Sequence, residues 1–406
     1  MKIRIFYITI IMCCLTLCSY GTERSLEEKL QTVLDKTISK YDVNGVSTAV
    51  VFPDKSIWTG VSGISHDTVT IKPDMLFAIG SITKSFVATL TLVLVEEGIL
   101  TLDDPLFKWL PIYQYVDSTI TIRQLLNHTS GIYMFWSNQK IWDDLKKDRT
   151  KIWTPEEVLS YIKEPYFAPG TGYRYSNTNY LLMAMIIEKV TGSNLSAEFK
   201  KRFWQPLNIK NAFLSIQEEI PMNQAHVFGD NFNNDGSYLD LTFLPRASHE
   251  SITFGSAGLF MTAEDLARWC HALFEGQIFS KQSMNEMLDM SKNSYGLGIG
   301  RFGKSMGYGE KVMGHSGANI GTSAYMVYLP DHHFSVAVMI NGFEHKCSEK
   351  ITKEVIGKML RSTDSIDVIS YLYYKYSPFD VIILCAVLSW IIAIALHVRK
   401  KRKVVY

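Results

Sequence analysis

Segments with the alternating apolar and polar residues typical of β-strands lie near both ends of the main body of this 406-residue chain. Two of them, residues 46–52 and 56–63, come early and are joined by a turn at Pro53. Residues from about 112 to 290 have mainly helical patterns. Strands this far apart can share one sheet only if the chain returns to its start. We therefore expect an α+β fold, with a mostly antiparallel sheet flanked by helices and interrupted by a helical insertion. The late strands are predicted at residues 295–301, 310–314, 322–329 and 334–341.

A long apolar segment from Phe86 to Leu100 has the character of a buried helix, and a polar turn precedes it. Gly80 interrupts the chain, Ser81 opens the helix, and Lys84 follows on the same helical face. Burial lowers the pKa of a lysine, so that a buried amine can accept a proton from a neighbouring hydroxyl. Backbone N–H groups at a helix N-terminus can also stabilise an oxyanion. Ser81 is therefore a candidate nucleophile, with Lys84 as a candidate base.

Ser-x-x-Lys is a short pattern, and a second copy runs from Ser160 to Lys163. This copy lies late in a predicted helix and has no glycine before it. The pattern alone does not identify a site, so the weight of the Ser81 copy depends on motifs elsewhere in the chain. We interpret the Ser160 copy as structural.

The segment Tyr175-Ser176-Asn177 precedes a second apolar helix. A phenol is normally a weak acid, but beside a lysine it can be held partly ionised and act as a general base. The Asn177 amide can contact a substrate carbonyl while it orients Lys84. The alternative is that Tyr175 packs its ring and exposes its hydroxyl to water.

The segment His315-Ser316-Gly317 is predicted at the end of a strand. Side chains there could bind a substrate carboxylate, and Gly317 would let the substrate backbone approach closely. The N–H group of Ala318 could complete an oxyanion hole with that of Ser81. The alternative is a turn at a sheet edge with a surface histidine.

Composition excludes several classes of protein. The net charge is +1, from 41 basic and 40 acidic residues, and no basic stripe indicates a nucleic-acid partner. Of six cysteines, only Cys270 and Cys347 lie in the main body. They can form one disulfide in an oxidising compartment or remain isolated thiols, and no Cys and His spacing suggests zinc or another metal.

The three motifs, in this order, resemble those of the serine β-lactamase and penicillin-binding protein family, especially its branch of class C β-lactamases and D-alanyl-D-alanine carboxypeptidases. The resemblance covers roughly residues 27–360 and implies a β-lactamase/transpeptidase-like fold without a cofactor. It implies Ser81 as nucleophile, Lys84 and Tyr175 as the proton-transfer pair, and Asn177 as a polar contact. Which member of the pair is the base stays open. Three further segments look like family connectors: Leu102–Pro105, Leu126–Gly131 and Gly255–Leu259.

The third motif departs from the Lys-Thr-Gly of many β-lactamases. Histidine is only partly charged near neutral pH, so we expect weaker, pH-dependent recognition of carboxylates through His315. The resemblance thus implies hydrolysis, through an acyl-enzyme, of amide or ester bonds in D-amino-acid peptides of the cell wall, including peptidoglycan, or in related small substrates. A β-lactam-hydrolysing enzyme and a penicillin-binding sensor without turnover remain the alternatives.

Both ends of the chain carry apolar segments. Residues 1–21 have the basic start and short apolar run of a signal peptide. Residues 379–398 are apolar over roughly the 20 residues that span a bilayer, and the basic tail 399–406 follows. We therefore expect a single-pass membrane protein whose hydrolase domain, residues 22–360, faces outward through the tether 361–378, with a cytoplasmic C-terminus.

Overall fold

The computed structural model describes residues 25–230, 238–291, 293–306, 311–342 and 345–375. The strands are β1 (Gly45–Val51), β2 (Ile57–His66), β3 (Val69–Thr70), β4 (Phe77–Ala78), β5 (Ala212–Leu214), β6 (Phe228–Gly229), β7 (Leu239–Asp240), β8 (Leu259–Met261), β9 (Gly300–Arg301), β10 (Met313–Asn319), β11 (Thr322–Leu329) and β12 (Phe334–Ile340). The α-helices are α1 (Leu26–Tyr41), α2 (Thr83–Glu96), α3 (Ile122–Leu126), α4 (Gln139–Lys147), α5 (Pro155–Leu159), α6 (Asn177–Thr191), α7 (Leu195–Phe199), α8 (Ala247–Ile252), α9 (Ala263–Phe274), α10 (Lys281–Met287), α11 (Gly303–Met306) and α12 (His345–Lys375).

The main sheet contains seven antiparallel strands in the order β3-β2-β1-β12-β11-β10-β9. At its centre the first strand of the chain pairs with the last, with Val46 opposite Ile340. The early and late strands therefore share one sheet, and the expected α+β architecture is confirmed. Two small sheets, β4-β8-β5 and β6-β7, accompany it.

Every residue of β1, β11 and β12 is buried, because the centre of the sheet is covered on both faces. Helix α9 packs against these three strands on one face. On the other face, Ser348 of α12 accepts a hydrogen bond from Ser323 of β11 at 3.0 Å. Trp269 of α9 is fully buried and stacks on Phe86 of α2, with ring centroids 4.0 Å apart. The apolar segment after Ser81 is thus the buried helix that its sequence predicted.

Two late strands differ from the expectation. Strand β10 begins at Met313 and continues to Asn319, so the His315 motif lies within the strand rather than at its end. Of the strand expected at 295–301, only β9 forms. Gly298 adopts a left-handed φ of +72° just before it, where a Cβ would lie 2.8 Å from the carbonyl oxygen of Lys84. The chain therefore turns at this point to pack against α2, and this turn shortens the strand.

The described residues divide into two compact units, one of Gln31–Glu354 and one that contains residues 25–30 and 355–375. Helix α12 runs from His345 to Lys375 and so includes most of the predicted tether, residues 361–378. Among the described residues no helix combines the length and hydropathy needed to cross a bilayer. The predicted signal peptide and the apolar segment 379–398 lie outside the described residues. Cys270 and Cys347 are both buried, and no disulfide joins them.

Candidate active site

Ser81 lies in a short 3₁₀ turn, Gly80–Ile82, which leads directly into α2. Gly80 has a left-handed φ of +54°, and a Cβ added there would collide with the carbonyl of Ala318. The Thr83 hydroxyl donates a hydrogen bond to the Gly80 carbonyl at 2.8 Å. The turn that presents Ser81 is therefore fixed against β10 by close backbone packing.

Gly317, in strand β10, also allows the strand to lie close to the turn that holds Ser81. A Cβ at this position would collide with the carbonyl oxygen of Ile79 and would lie 3.0 Å from the Ser81 nitrogen. The sequence predicted that Gly317 lets a substrate backbone approach closely, and this role stays a prediction. The structure shows that the absent side chain also makes room for the turn that holds Ser81. This packing brings Ser81 and Ala318 to the wall of one cavity.

Lys84 is completely buried, and its Nζ lies 3.0 Å from the Ser81 Oγ. The same nitrogen donates a hydrogen bond to the carbonyl oxygen of Ser256, at 2.8 Å. Burial holds the pKa of Lys84 well below its usual value of 10.5. A neutral amine can donate one hydrogen to Ser256 while its lone pair faces the Ser81 hydroxyl, so the geometry suits a general base.

Ser256 is a contact that the sequence did not assign to the site. It lies in the segment Gly255–Leu259, which was singled out only as a family connector. Gly255 has a left-handed φ of +72°, and a Cβ there would lie 2.5 Å from both the Tyr180 carbonyl oxygen and the Ala184 Cβ. The pair of glycines flanking Ser256 was the available signal, because it indicated an unusually close backbone approach.

Tyr175 is half-buried, and Lys84 Nζ lies 4.8 Å from the centre of its ring. Burial raises the pKa of the Tyr175 phenol, while a hydrogen bond with the Ser81 side chain lowers it, and the net shift is upward. This direction is opposite to the partial ionisation expected from the sequence. The two pKa directions favour the neutral forms of the lysine and the phenol, and which of the two acts as the base stays open.

Asn177 begins α6, and its backbone N–H points at the Met134 sulfur, 3.0 Å away. Its Oδ1 is buried and has no hydrogen-bond partner within the described part of the chain. It is also not among the described residues that line the cavity. The expected roles of Asn177, orienting Lys84 and contacting the substrate, stay predictions.

His315 is 5% exposed, and both of its ring nitrogens have partners. Nδ1 lies 2.5 Å from the carbonyl oxygen of Ser316, so it carries a proton, and Nε2 lies 2.8 Å from the Tyr295 hydroxyl. Tyr295 is a site residue that sequence reasoning missed, because nothing in its local pattern separates it from a core tyrosine. A substrate carboxylate would have to compete with these two contacts for the imidazole.

The cavity in front of Ser81 has a volume of about 580 Å³. Arg301 is exposed. Among the described residues that line the cavity, it is the only lysine, arginine, aspartate or glutamate. The cavity therefore carries a positive charge at its edge and aromatic rings along its wall. It is lined by Ser81, Tyr173, Tyr175, Asn293, Ser294, Tyr295, Gly300, Arg301, Phe302, His315, Ser316, Gly317 and Ala318.

Comparison with known proteins agrees with this geometry. The chain is 26% identical to penicillin-binding protein 4* of Bacillus subtilis, over 79% of this chain and 72% of that protein. It is 27% identical to the D-aminopeptidase of Brucella anthropi, over 79% of this chain but only 60% of that protein's length. Its structure resembles that of D-amino acid amidase from Ochrobactrum anthropi SV3 in complex with L-phenylalanine amide, with a TM-score of 0.71 and 25% identity, covering 84% of this chain and 100% of the amidase. The profile of the beta-lactamase family matches residues 24–356, and this chain therefore belongs to that family of serine hydrolases.

Proposed function

We propose that this enzyme cleaves amide bonds through an acyl-enzyme formed on Ser81. The observation that carries the proposal is the contact of Ser81 Oγ with Lys84 Nζ at 3.0 Å. Lys84 is fully buried, and burial holds its pKa well below the usual value, so the amine beside the hydroxyl loses its proton at a lower pH than an exposed lysine does. Ester substrates would follow the same chemistry.

In the proposed acylation, Ser81 Oγ attacks the substrate carbonyl carbon and its proton moves to Lys84 Nζ. The N–H groups of Ser81 and Ala318 stabilise the oxyanion. The carbon–nitrogen bond then breaks as the Tyr175 phenol protonates the leaving amine, and Lys84 returns the proton to Tyr175. In deacylation, the same pair removes a proton from water, and the carbonyl–Ser81 bond breaks as Ser81 regains its hydrogen.

The charge of the cavity supports a substrate with a carboxylate. Arg301 supplies a permanent positive charge, and the described lining residues include no aspartate or glutamate that could pair with a free α-ammonium group. We therefore propose that the substrates are peptides that end in a D-amino acid with a free carboxylate, as in peptidoglycan stems. This preference differs from what the names of the D-aminopeptidase and the D-amino acid amidase say of those proteins.

The test follows the intact mass of the full-length protein with a fluorescent penicillin, a D-alanyl-D-alanine peptide and the C-terminal amide of that peptide. We expect a covalent adduct with the penicillin that forms and then disappears. The peptide with a free carboxylate should be cleaved faster than its amide, and Arg301→Gln should reduce this difference in rate. Ser81→Ala should form no adduct, whereas Ser160→Ala serves as the matched control. A permanent adduct without turnover would favour the sensor, and equal adduct formation by Ser81→Ala would refute the proposal.

We also propose that the apolar segment 379–398 anchors the enzyme in a membrane with the hydrolase domain outside. The basic residues 399–403 directly after this segment support this orientation. We expect the full chain to sediment with membranes after carbonate washing, and a chain ending at residue 378 to be released. Release of the full chain by the same wash would refute the anchor.

A further inference from the structure

His128 is a buried histidine that the proposed reaction does not use. It lies in the turn after α3, is completely buried, and its ring centroid is 4.3 Å from that of Tyr175. We propose that His128 is a positioning residue, which holds the Tyr175 phenol in the orientation needed for proton transfer. The inference rests on the role proposed above for Tyr175.

The first observation is that His128 holds the backbone on both sides of Tyr175. Its carbonyl oxygen accepts the N–H of Arg174 at 3.0 Å, and its Nδ1 lies 3.2 Å from the N–H of Ser176. Its ring contacts the ring of the intervening Tyr175 in a tilted arrangement, with 41° between the two planes. One residue thus constrains both the main chain and the ring of Tyr175.

The second observation is a hydrogen-bond network that fixes the tautomer of His128. The Ser130 hydroxyl donates to Asn179 Oδ1 at 2.7 Å, so the Asn179 amide must present its NH₂ group to His128 Nδ1, 3.2 Å away. Nδ1 therefore faces the Asn179 and Ser176 donors and accepts from them, and the ring proton resides on Nε2. Burial holds the pKa of His128 well below 6.5, which keeps the ring neutral.

The third observation is that His128 carries two unfavourable features at once. Its φ is +61°, in the left-handed region that few residues other than glycine adopt, although histidine is enriched there. Its Nε2 is buried and has no hydrogen-bond partner within the described residues. Backbone strain and an unsatisfied donor at one residue are typical of functional sites, where surrounding contacts maintain them. At His128, these contacts are made with the backbone on either side of Tyr175 and with the Tyr175 ring.

The experiment is a double-mutant cycle between His128 and Tyr175, measured as kcat and KM on the peptide. His128→Asn keeps an acceptor and tolerates the left-handed φ, whereas His128→Gly tolerates φ but removes the side chain. We expect kcat to fall about tenfold in His128→Asn and about a hundredfold in His128→Gly, with KM changed less than about twofold. In a Tyr175→Phe background, His128→Gly should change kcat by less than about threefold.

The control is His271→Asn, because His271 is also buried but lies in α9, where Glu275, Lys55 and His333 are the charged groups that act on it. This variant should keep wild-type kinetics, and thermal melting of every variant verifies folding. If Tyr175→Phe is fully active, both the role of Tyr175 and the inference fail. If Tyr175→Phe lowers kcat, and the effects of His128→Gly and Tyr175→Phe on kcat simply multiply in the double variant, only the role of His128 fails.

Discussion

Two of the three Ser-x-x-Lys patterns in this chain, those that begin at Ser81 and at Ser160, lie in opposite surroundings. Lys84 is fully buried and contacts the Ser81 hydroxyl. Lys163 is exposed, and the Ser160 hydroxyl instead donates to the Glu157 carbonyl at 2.6 Å, just beyond α5. The same residue types at the same spacing thus provide a candidate base in one place and the end of a helix in the other.

The difference indicates that burial, rather than spacing, distinguishes the candidate base Lys84 from Lys163. An amine in water stays protonated near neutral pH and cannot accept the serine proton. Burial without a carboxylate partner favours the neutral amine, and burial alone lowers the pKa of Lys84. Substitutions that act on the buried copy should therefore change activity far more than the same substitutions in the exposed copy.

The largest effect should come from Lys84→Met. Removal of the base should lower kcat/KM for the peptide roughly a thousandfold, because general-base catalysis typically contributes 10²–10⁴-fold. Lys163→Met is the matched control and should stay within about twofold of the wild type. Steady-state kinetics and the rate of penicillin adduct formation measure both variants. Equal losses in the two variants would show that burial does not distinguish the copies.

The next effect should come from Gly80→Ala, since a glycine precedes only the Ser81 copy. The new Cβ would collide with the Ala318 carbonyl and displace the nucleophile turn, so kcat should fall about a hundredfold. Gly98→Ala is the control, because Gly98 has a left-handed φ of +72° but a Cβ added there would have no atom within 4 Å. It should lose some stability and retain its kcat. Equal kcat values in the two variants would refute the steric argument.

The pH dependence of acylation sharpens the comparison further. Lys84 must be neutral to accept the proton, so the rate should rise with pH and level off well below 10.5, because burial lowers the pKa of this amine. Below that pKa the rate should fall about tenfold for each pH unit. Stopped-flow acylation by the fluorescent penicillin measures this profile. A rate that continues to rise up to pH 10 would mean that Lys84 titrates like a solvent-exposed lysine.

The smallest effect concerns stability. Because burial lowers the pKa of Lys84 in the folded protein, the unfolded chain binds more protons between that pKa and 10.5, and stability rises with pH across this window. Lys84→Met should therefore melt at a higher temperature than the wild type at pH 7, and the gain should shrink as the pH approaches 10. Lys163→Met should show no such pH-dependent difference. A gain from Lys84→Met that is independent of pH would contradict this assignment.

Local patterns were sufficient for much of the fold. The periodicity of residues 46–52 and 322–329 predicted β1 and β11 almost to the residue, and the apolar segment from Phe86 predicted a buried helix. These patterns succeed because strands and helices each impose their own period on buried side chains. The end of β10 and the length of β9 escaped prediction, since both depend on backbone packing against the turn at Ser81 and against α2.

The sequence by itself determined the candidate nucleophile, its lysine and the motifs of Tyr175 and His315, because each is a short pattern with a recognisable order. Only the tertiary structure decided which protonation states those groups favour. Lys84 finds its carbonyl partner at Ser256, 172 residues away, and His315 is held by Tyr295, whose own motif gives no signal. A pKa depends on burial and on partners that the fold brings from distant positions, and no local pattern records either.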